Sequence, residues 1–224
     1  IELADSVTID AHKQMYVPMG AGMVVFKHPS SAHAIEHHAE YILRKGSKDL
    51  GSQTLEGSRP GMAMLVHACL QVIGRKGYEI LINRSLEKAR YFAGLIDLHA
   101  DFELVTAPEL CLLTYRYVPA SVQQAMQKAK AAGDLERLKK FNDLLSGLTK
   151  FIQKRQREEG KSFVSRTRLT PARYHRQDTV VFRIVLANPL TTDQILHDVL
   201  DEQVELAKMD KEFLPKLLQL ARDY

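Results

Sequence analysis

Residues 4–13, Ala4-Asp5-Ser6-Val7-Thr8-Ile9-Asp10-Ala11-His12-Lys13, constrain this chain more than any other stretch. A β-rich run from Ser6 to Ile9 ends in polar residues and a His-Lys pair. A loop with Met, Pro and Gly follows and leads into a second apolar run, Gly22 to Phe26. This pattern reads as strand, loop, strand, with a lysine at the mouth of the first strand. Apolar walls on both sides would disfavour the ammonium form, lower the pKa of Lys13 and leave a nucleophilic amine able to form an imine. The other reading of the same spacing is an ordinary surface lysine in a hairpin loop.

The bulk of the sequence removes several function classes. At 224 residues there is room for one large or two small domains. The net charge of +4 is mild, and no basic patch is interleaved with aromatics, so nucleic acid is not indicated. No apolar run approaches the roughly 20 residues of a membrane span. Cys69 and Cys111 both sit in apolar runs, without CxxC or zinc-ligand spacing. They read as buried thiols in a reducing compartment, which points to the cytoplasm.

Along the chain, Pro29-Ser30-Ser31 offers a serine-capped helix start, and Ala34 to Leu43 has helical spacing. His33 and His37 stand four apart, a metal-pair spacing without a third ligand nearby; no metal is expected. Residues 44–57 are polar and glycine-bearing, as a lid requires. Ser58 is placed to cap a helix starting at Pro60 or Gly61, and such an N-terminus makes an anion site. Met62 to Ile73 is apolar nearly all round and reads as a buried helix, which Gly74 to Tyr78 then interrupts. Leu86, Ala89, Ala93 and Ile96 repeat at helical spacing beyond it.

Strands are expected over Phe102–Thr106, Cys111–Tyr117, Phe163–Leu169 and Thr179–Ala187. From Ser121 to Gly160 there are nine Lys/Arg and five Asp/Glu, yet Leu135, Leu138, Leu144, Leu145, Leu148 and Ile152 keep an apolar face. That describes a solvated amphipathic helix pair, with Gly133-Asp134 starting a helix within it. Thr191 or Thr192 caps the next helix, and Phe213 to Ala221 forms the last. Arg183 lies in the apolar run TVVFRIVLANP. On the core side it would need an anionic partner; on the outer side it is ordinary.

ADSVTIDAHK, SRPG (Ser58 to Gly61) and FRIVLANP (Phe182 to Pro189) occur in the order found in group II amino-acid decarboxylases, which use pyridoxal phosphate. The chain resembles that family from residue 1 to about 207. The stretch LRKGSKDLGSQTLEGSRPGMA is similar to the bacterial glutamate decarboxylase and aspartate 1-decarboxylase branch.

The resemblance implies a fold-type I α/β architecture. Residues 1–94 would be part of the large cofactor domain with its linking helix, and 95–224 a small C-terminal α+β domain. It further implies decarboxylation of aspartate or glutamate by a homodimer with shared active sites. Lys13 would carry the cofactor, with His12 beside it and Ser58 reaching its phosphate. Tyr41, in HHAEYIL, would enter the neighbouring subunit's site and return a proton to the substrate carbon. Arg183 would bind the substrate carboxylate through its planar fork.

Family members also carry, before the lysine, an aspartate facing the pyridine nitrogen and a residue stacked on the ring. Asp5 and Asp10 do not match that aspartate. The resemblance therefore implies the C-terminal portion of a longer enzyme, inactive by itself. Asp10 is expected to turn away from the cofactor phosphate. Other readings are a different lyase or transaminase of the same fold type, and a non-catalytic dimerising fragment.

Overall fold

The computed structural model describes residues 1–37, 50–54 and 57–223. Two compact units divide the chain, Ile1–Ile82 and Asn83–Tyr224, called unit 1 and unit 2 below.

In unit 1, β1 (Ser6–Asp10) pairs antiparallel with β2 (Gly22–Phe26), Ser6 opposite Phe26 and Asp10 opposite Gly22. A two-stranded hairpin has one small face to bury and little stability of its own. Ala11, Val17 and Ala21 form a buried cluster with Val66, and Met15, Met23, Met62 and Cys69 pack on it.

Met62, Val66 and Cys69 are spaced i, i+4, i+7 on α1 (Met62–Leu98), so one stripe of the helix is covered. The expectation of a helix buried on several sides fails here: Met64 is 77% and Val72 85% exposed, because the hairpin meets one stripe only. The expected interruption is real. Gly74 has φ 65° and ψ 171°, a left-handed backbone that glycine enters without Cβ strain, and it splits α1 in two.

Of the helix expected over Ala34–Leu43, residues 38–43 lie outside the described residues, and the described start is not α-helical. A 3-10 helix covers Pro29–Ile35, and Glu36 is already extended with ψ 134°. The serines lie inside this element; its cap position is His28, which makes no side-chain cap bond. At seven residues it is longer than most 3-10 runs, which usually serve as brief connectors.

Unit 2 is built on a four-stranded antiparallel sheet. Its strands are β3 (Phe102–Thr106), β4 (Leu112–Tyr117), β5 (Ser165–Leu169) and β6 (Thr179–Val185), in the order β3-β4-β6-β5. A bulge between Leu104 and Thr106 shifts the β3–β4 register. Alternation sends Phe102, Leu113, Tyr115, Tyr117 and Phe182 into the core. There they meet Phe92 and Ile96 of α1, Leu145 and Ile152 of α3 (Leu135–Glu159), and Leu196 and Leu200 of α4 (Asp193–Lys208). Between β4 and α3 lies α2 (Ala120–Ala131), and α5 (Phe213–Arg222) adds Leu217 to the core.

The caps follow sequence chemistry. Asp134 accepts from the Arg137 N–H at 2.9 Å, and Thr192 from the Ile195 N–H at 3.3 Å.

Candidate active site

Lys13 follows β1 by three residues, on a loop with its own internal bonding. The Lys13 N–H donates to the Asp10 carbonyl at 3.0 Å, Tyr16 N–H to the Lys13 carbonyl at 3.1 Å, and Val17 N–H to the Ala11 carbonyl at 3.2 Å. Ala11 is fully buried and Ala21 nearly so. Small side chains at these two places let the loop settle against β2. Tyr16 holds φ 56°, a left-handed conformation that costs a non-glycine residue about 1–2 kcal/mol. The Tyr78 hydroxyl of α1 donates to the Met15 carbonyl at 2.9 Å, one residue before that strained position. Burial pushes the Tyr78 phenol up from its ordinary pKa, with Cys69 adding to the shift.

His12 is locked by its ring. Nδ1 lies 2.9 Å from the Ala21 carbonyl, which only accepts, so Nδ1 carries the hydrogen. The Lys13 amine lies 2.6 Å from Asp10 Oδ2, with side chains 68% and 39% exposed respectively. The hydrogen bond from Lys13, and then its charge, hold the Asp10 carboxyl below its ordinary range. Water screens such a pair, so the amine exchanges this partner easily.

The apolar groups lie beneath the loop backbone and not around the amine, which is largely exposed. The Asp10 carboxylate, at the strand end, is within reach of the amine three residues on.

Ser58 is exposed, and α1 begins only at Met62. The cap expected of Ser58 is therefore absent: it stands four residues before the first helical residue. The Met62 N–H instead bonds the Pro60 carbonyl at 2.7 Å. His33 Nδ1 pairs with Glu36 Oε2 at 2.8 Å, and no metal-binding cluster of His, Cys, Asp and Glu occurs among the described residues. Tyr41 and most of the expected lid lie outside the described residues.

Arg183 belongs to unit 2. It stands opposite Thr114 of β4 and Ser165 of β5 and is half-buried. The Ser165 hydroxyl donates to the Arg183 carbonyl at 2.6 Å, which fixes the backbone. The guanidinium makes no hydrogen bond or ion pair among the described residues, leaving its fork available to an anion. Lys13, His12 and Asp10 are thus brought together in unit 1, while Arg183 sits apart from them in sequence and in unit.

The arginine that sequence reading missed is Arg116. It has no exposed surface. Nε donates to Glu103 Oε2 at 2.8 Å, Nη1 to Asn142 Oδ1 at 2.9 Å, and the guanidinium lies 4.1 Å from the Tyr174 ring centre. Its signal was available: in LLTYRY, Tyr115 and Tyr117 point one way, so Arg116 must point the other, opposite Glu103. Tyr78 left no such signal, since its contact with Met15 joins residues 63 positions apart.

The residues present fit the aldehyde end of a pyridoxal cofactor. They supply one exposed primary amine on a pinned loop, held only by an exchangeable carboxylate, with a fixed imidazole next in sequence.

A family model described as the pyridoxal-dependent decarboxylase conserved domain matches residues 1–118. The chain is 64% identical over 220 residues to an aspartate 1-decarboxylase of Aliivibrio fischeri, covering 98% of this chain and 40% of that protein. It is 26% identical over 233 residues to an L-tyrosine decarboxylase of Enterococcus faecalis, covering 94% of this chain and 38% of that one. Among solved structures, mouse CSAD superposes with a TM-score of 0.73 at 19% identity, over 91% of this chain and 40% of the other. Oryza sativa TDC with PLP and tryptamine gives 0.70 at 14% identity, over 92% of this chain and 39% of that one. The chain thus spans about two fifths of the length of these relatives.

Proposed function

Since this chain belongs to the pyridoxal-dependent decarboxylase family, with its fold-type I α/β architecture, we propose that the longer protein containing it removes the α-carboxylate of aspartate. The observation that carries the proposal is Lys13: a reachable amine on a loop pinned through His12, Ala11 and Tyr78, in a chain 64% identical to an aspartate 1-decarboxylase.

Bound pyridoxal phosphate supplies an aldehyde carbon for an amine and a conjugated ring that takes up the electron pair released with carbon dioxide. Lys13, released from Asp10, would hold that carbon. His12, its Nδ1 hydrogen committed to Ala21, would present Nε2 to the cofactor. Ser58, exposed ahead of α1, would offer a hydroxyl to the phosphate. Arg183 grips a substrate carboxylate through paired N–H donors, which orients the carbon to be cleaved. Tyr41 returns a proton to that carbon, since a phenol with an ordinary pKa near 10 donates when held close. In this reading two copies share their sites in a cytoplasmic homodimer. Among the described residues no helix is long and apolar enough to cross a membrane.

The longer protein, incubated with aspartate or glutamate, is expected to release carbon dioxide from aspartate with one equivalent of amine product. Borohydride reduction of the cofactor-loaded protein is expected to fix the cofactor on Lys13, and Lys13→Ala to abolish the adduct. An adduct on Lys27, Lys45 or Lys48 overturns the assignment of Lys13. Turnover of glutamate alone overturns that of aspartate.

A further inference from the structure

Unit 2 contains a cavity of about 220 Å³ that the proposed reaction does not use. It is below the roughly 300–1,000 Å³ of sites that take drug-sized ligands, so it suits a molecule of a few heavy atoms. Val118, Met126 and Leu138 give it an apolar floor, and Val118 is wholly buried. Gln127 and Lys130 line its rim; neither side chain makes a hydrogen bond or ion pair among the described residues. The wall is held rigid. The Gln123 amide donates to the carbonyls of Ala100, Phe102 and Val118 at 2.8, 3.2 and 2.9 Å.

The electrostatics of the wall are unbalanced. Glu103, Asn142 and Tyr174 line the cavity, and all three contact Arg116 directly behind it. Glu103 also takes Arg173 Nη2 at 3.1 Å, and Arg173 lines the cavity too. One carboxylate therefore serves two guanidiniums. Arg116 is fully buried, and its Nη2 has no hydrogen-bond partner among the described residues. Arg116 is buried behind the wall, while Arg173, 45% exposed, lines the cavity, so the wall carries one more positive than negative charge and favours an anion. Lys130 adds a further cation at the opening.

We propose that this cavity binds a small carboxylate with a short apolar tail. The tail lies on Met126 and Leu138, and the carboxylate meets the positive field of Lys130, Arg173 and Arg116. A short aliphatic acid has the required size and polarity. Inorganic phosphate has the charge but gains nothing from the apolar floor.

The test follows the Met126 methyl resonance of methyl-labelled protein during titration with sodium propionate, with inorganic phosphate as comparison at constant ionic strength. Met126→Leu assigns the resonance. Propionate is expected to shift it saturably while leaving the unit 1 methionines in place. Lys130→Gln is expected to weaken propionate at least tenfold, and Gln127→Trp, which fills the rim, to abolish the shift. Both sites are on the surface, so thermal melting of the variants is expected to match the parent. No saturable shift, a shift unchanged in both variants, or phosphate binding as well as propionate each overturns the proposal.

Discussion

Phe92, Phe141 and Phe182 in unit 2 have no exposed surface, whereas Met64 and Val72 in unit 1 stand largely in water. Unit 2 closes its own core: a four-stranded sheet presents one apolar face, and helices cover it. Unit 1 has two strands and one stripe of a helix, and its buried cluster is made mostly of alanine and valine. Yet unit 1 carries Lys13, the lysine proposed to hold the cofactor. Its loop is held by backbone hydrogen bonds and by the side chains of His12 and Tyr78 more than by buried area. Position can thus be specified by directional bonds where hydrophobic burial is thin.

The largest expected effect tests that contrast directly. Phe182→Ala should destabilise unit 2 by about 3–5 kcal/mol, as large-to-small changes in closed cores do. Val17→Ala in unit 1 removes less volume from a looser cluster and should cost well under half of that. Urea unfolding followed by far-ultraviolet circular dichroism compares the two. Equal costs would erase the distinction between the units.

Glu103→Ala probes the buried charge. It strands Arg116 without its anion and should cost about 3 kcal/mol, while Arg116→Met combined with Glu103→Leu should recover most of the loss. Chemical denaturation of single and double variants measures the coupling. Strictly additive losses would show that the pair does not act as one.

Arg183→Lys keeps charge and loses the fork. In the longer protein it should weaken aspartate turnover by about 1–3 kcal/mol in kcat/KM, with cofactor binding intact. Unchanged kinetics would place Arg183 outside the substrate site.

The smallest effect falls on unit 1. Tyr78→Phe removes the bond to Met15 and should cost about 1 kcal/mol, read as faster amide exchange in the loop from Ala11 to Val17. The parent should show a pH dependence that the variant lacks. The folded pKa of Tyr78 is raised, so its contribution is complete below the ordinary value of 10.0 and is lost as pH rises through the higher folded value. Unit 2 should lose more stability than unit 1 between pH 10 and 12, because burial holds Tyr117 up to about 12 and widens the gap to its ordinary value of 10.0. Equal alkaline losses in the two units would contradict this order.

Much of the secondary structure was legible because its signals are local. Asp134 and Thr192 cap their helices through N–H groups three residues on, and Gly74 breaks α1 where a left-handed residue is needed. Expectations failed where local pattern had to stand in for neighbours. Ala34 to Leu43 carries helical spacing, but the described part ends its 3-10 helix at Ile35. Ser58 has cap chemistry, but the helix starts too late to use it.

The sequence by itself determined much of the order of the elements and the strand-end position of Lys13, which depend on neighbouring residue types, and the family to which the chain belongs, through short motifs occurring in a fixed order. Tertiary structure alone decided which groups meet. It left the Lys13 amine in water beside Asp10, tied Tyr78 to Met15, and buried Arg116 against Glu103, Asn142 and Tyr174. The physical reason is that burial and pairing are properties of surfaces brought together from distant parts of the chain, and a single strand or helix carries only one side of each contact.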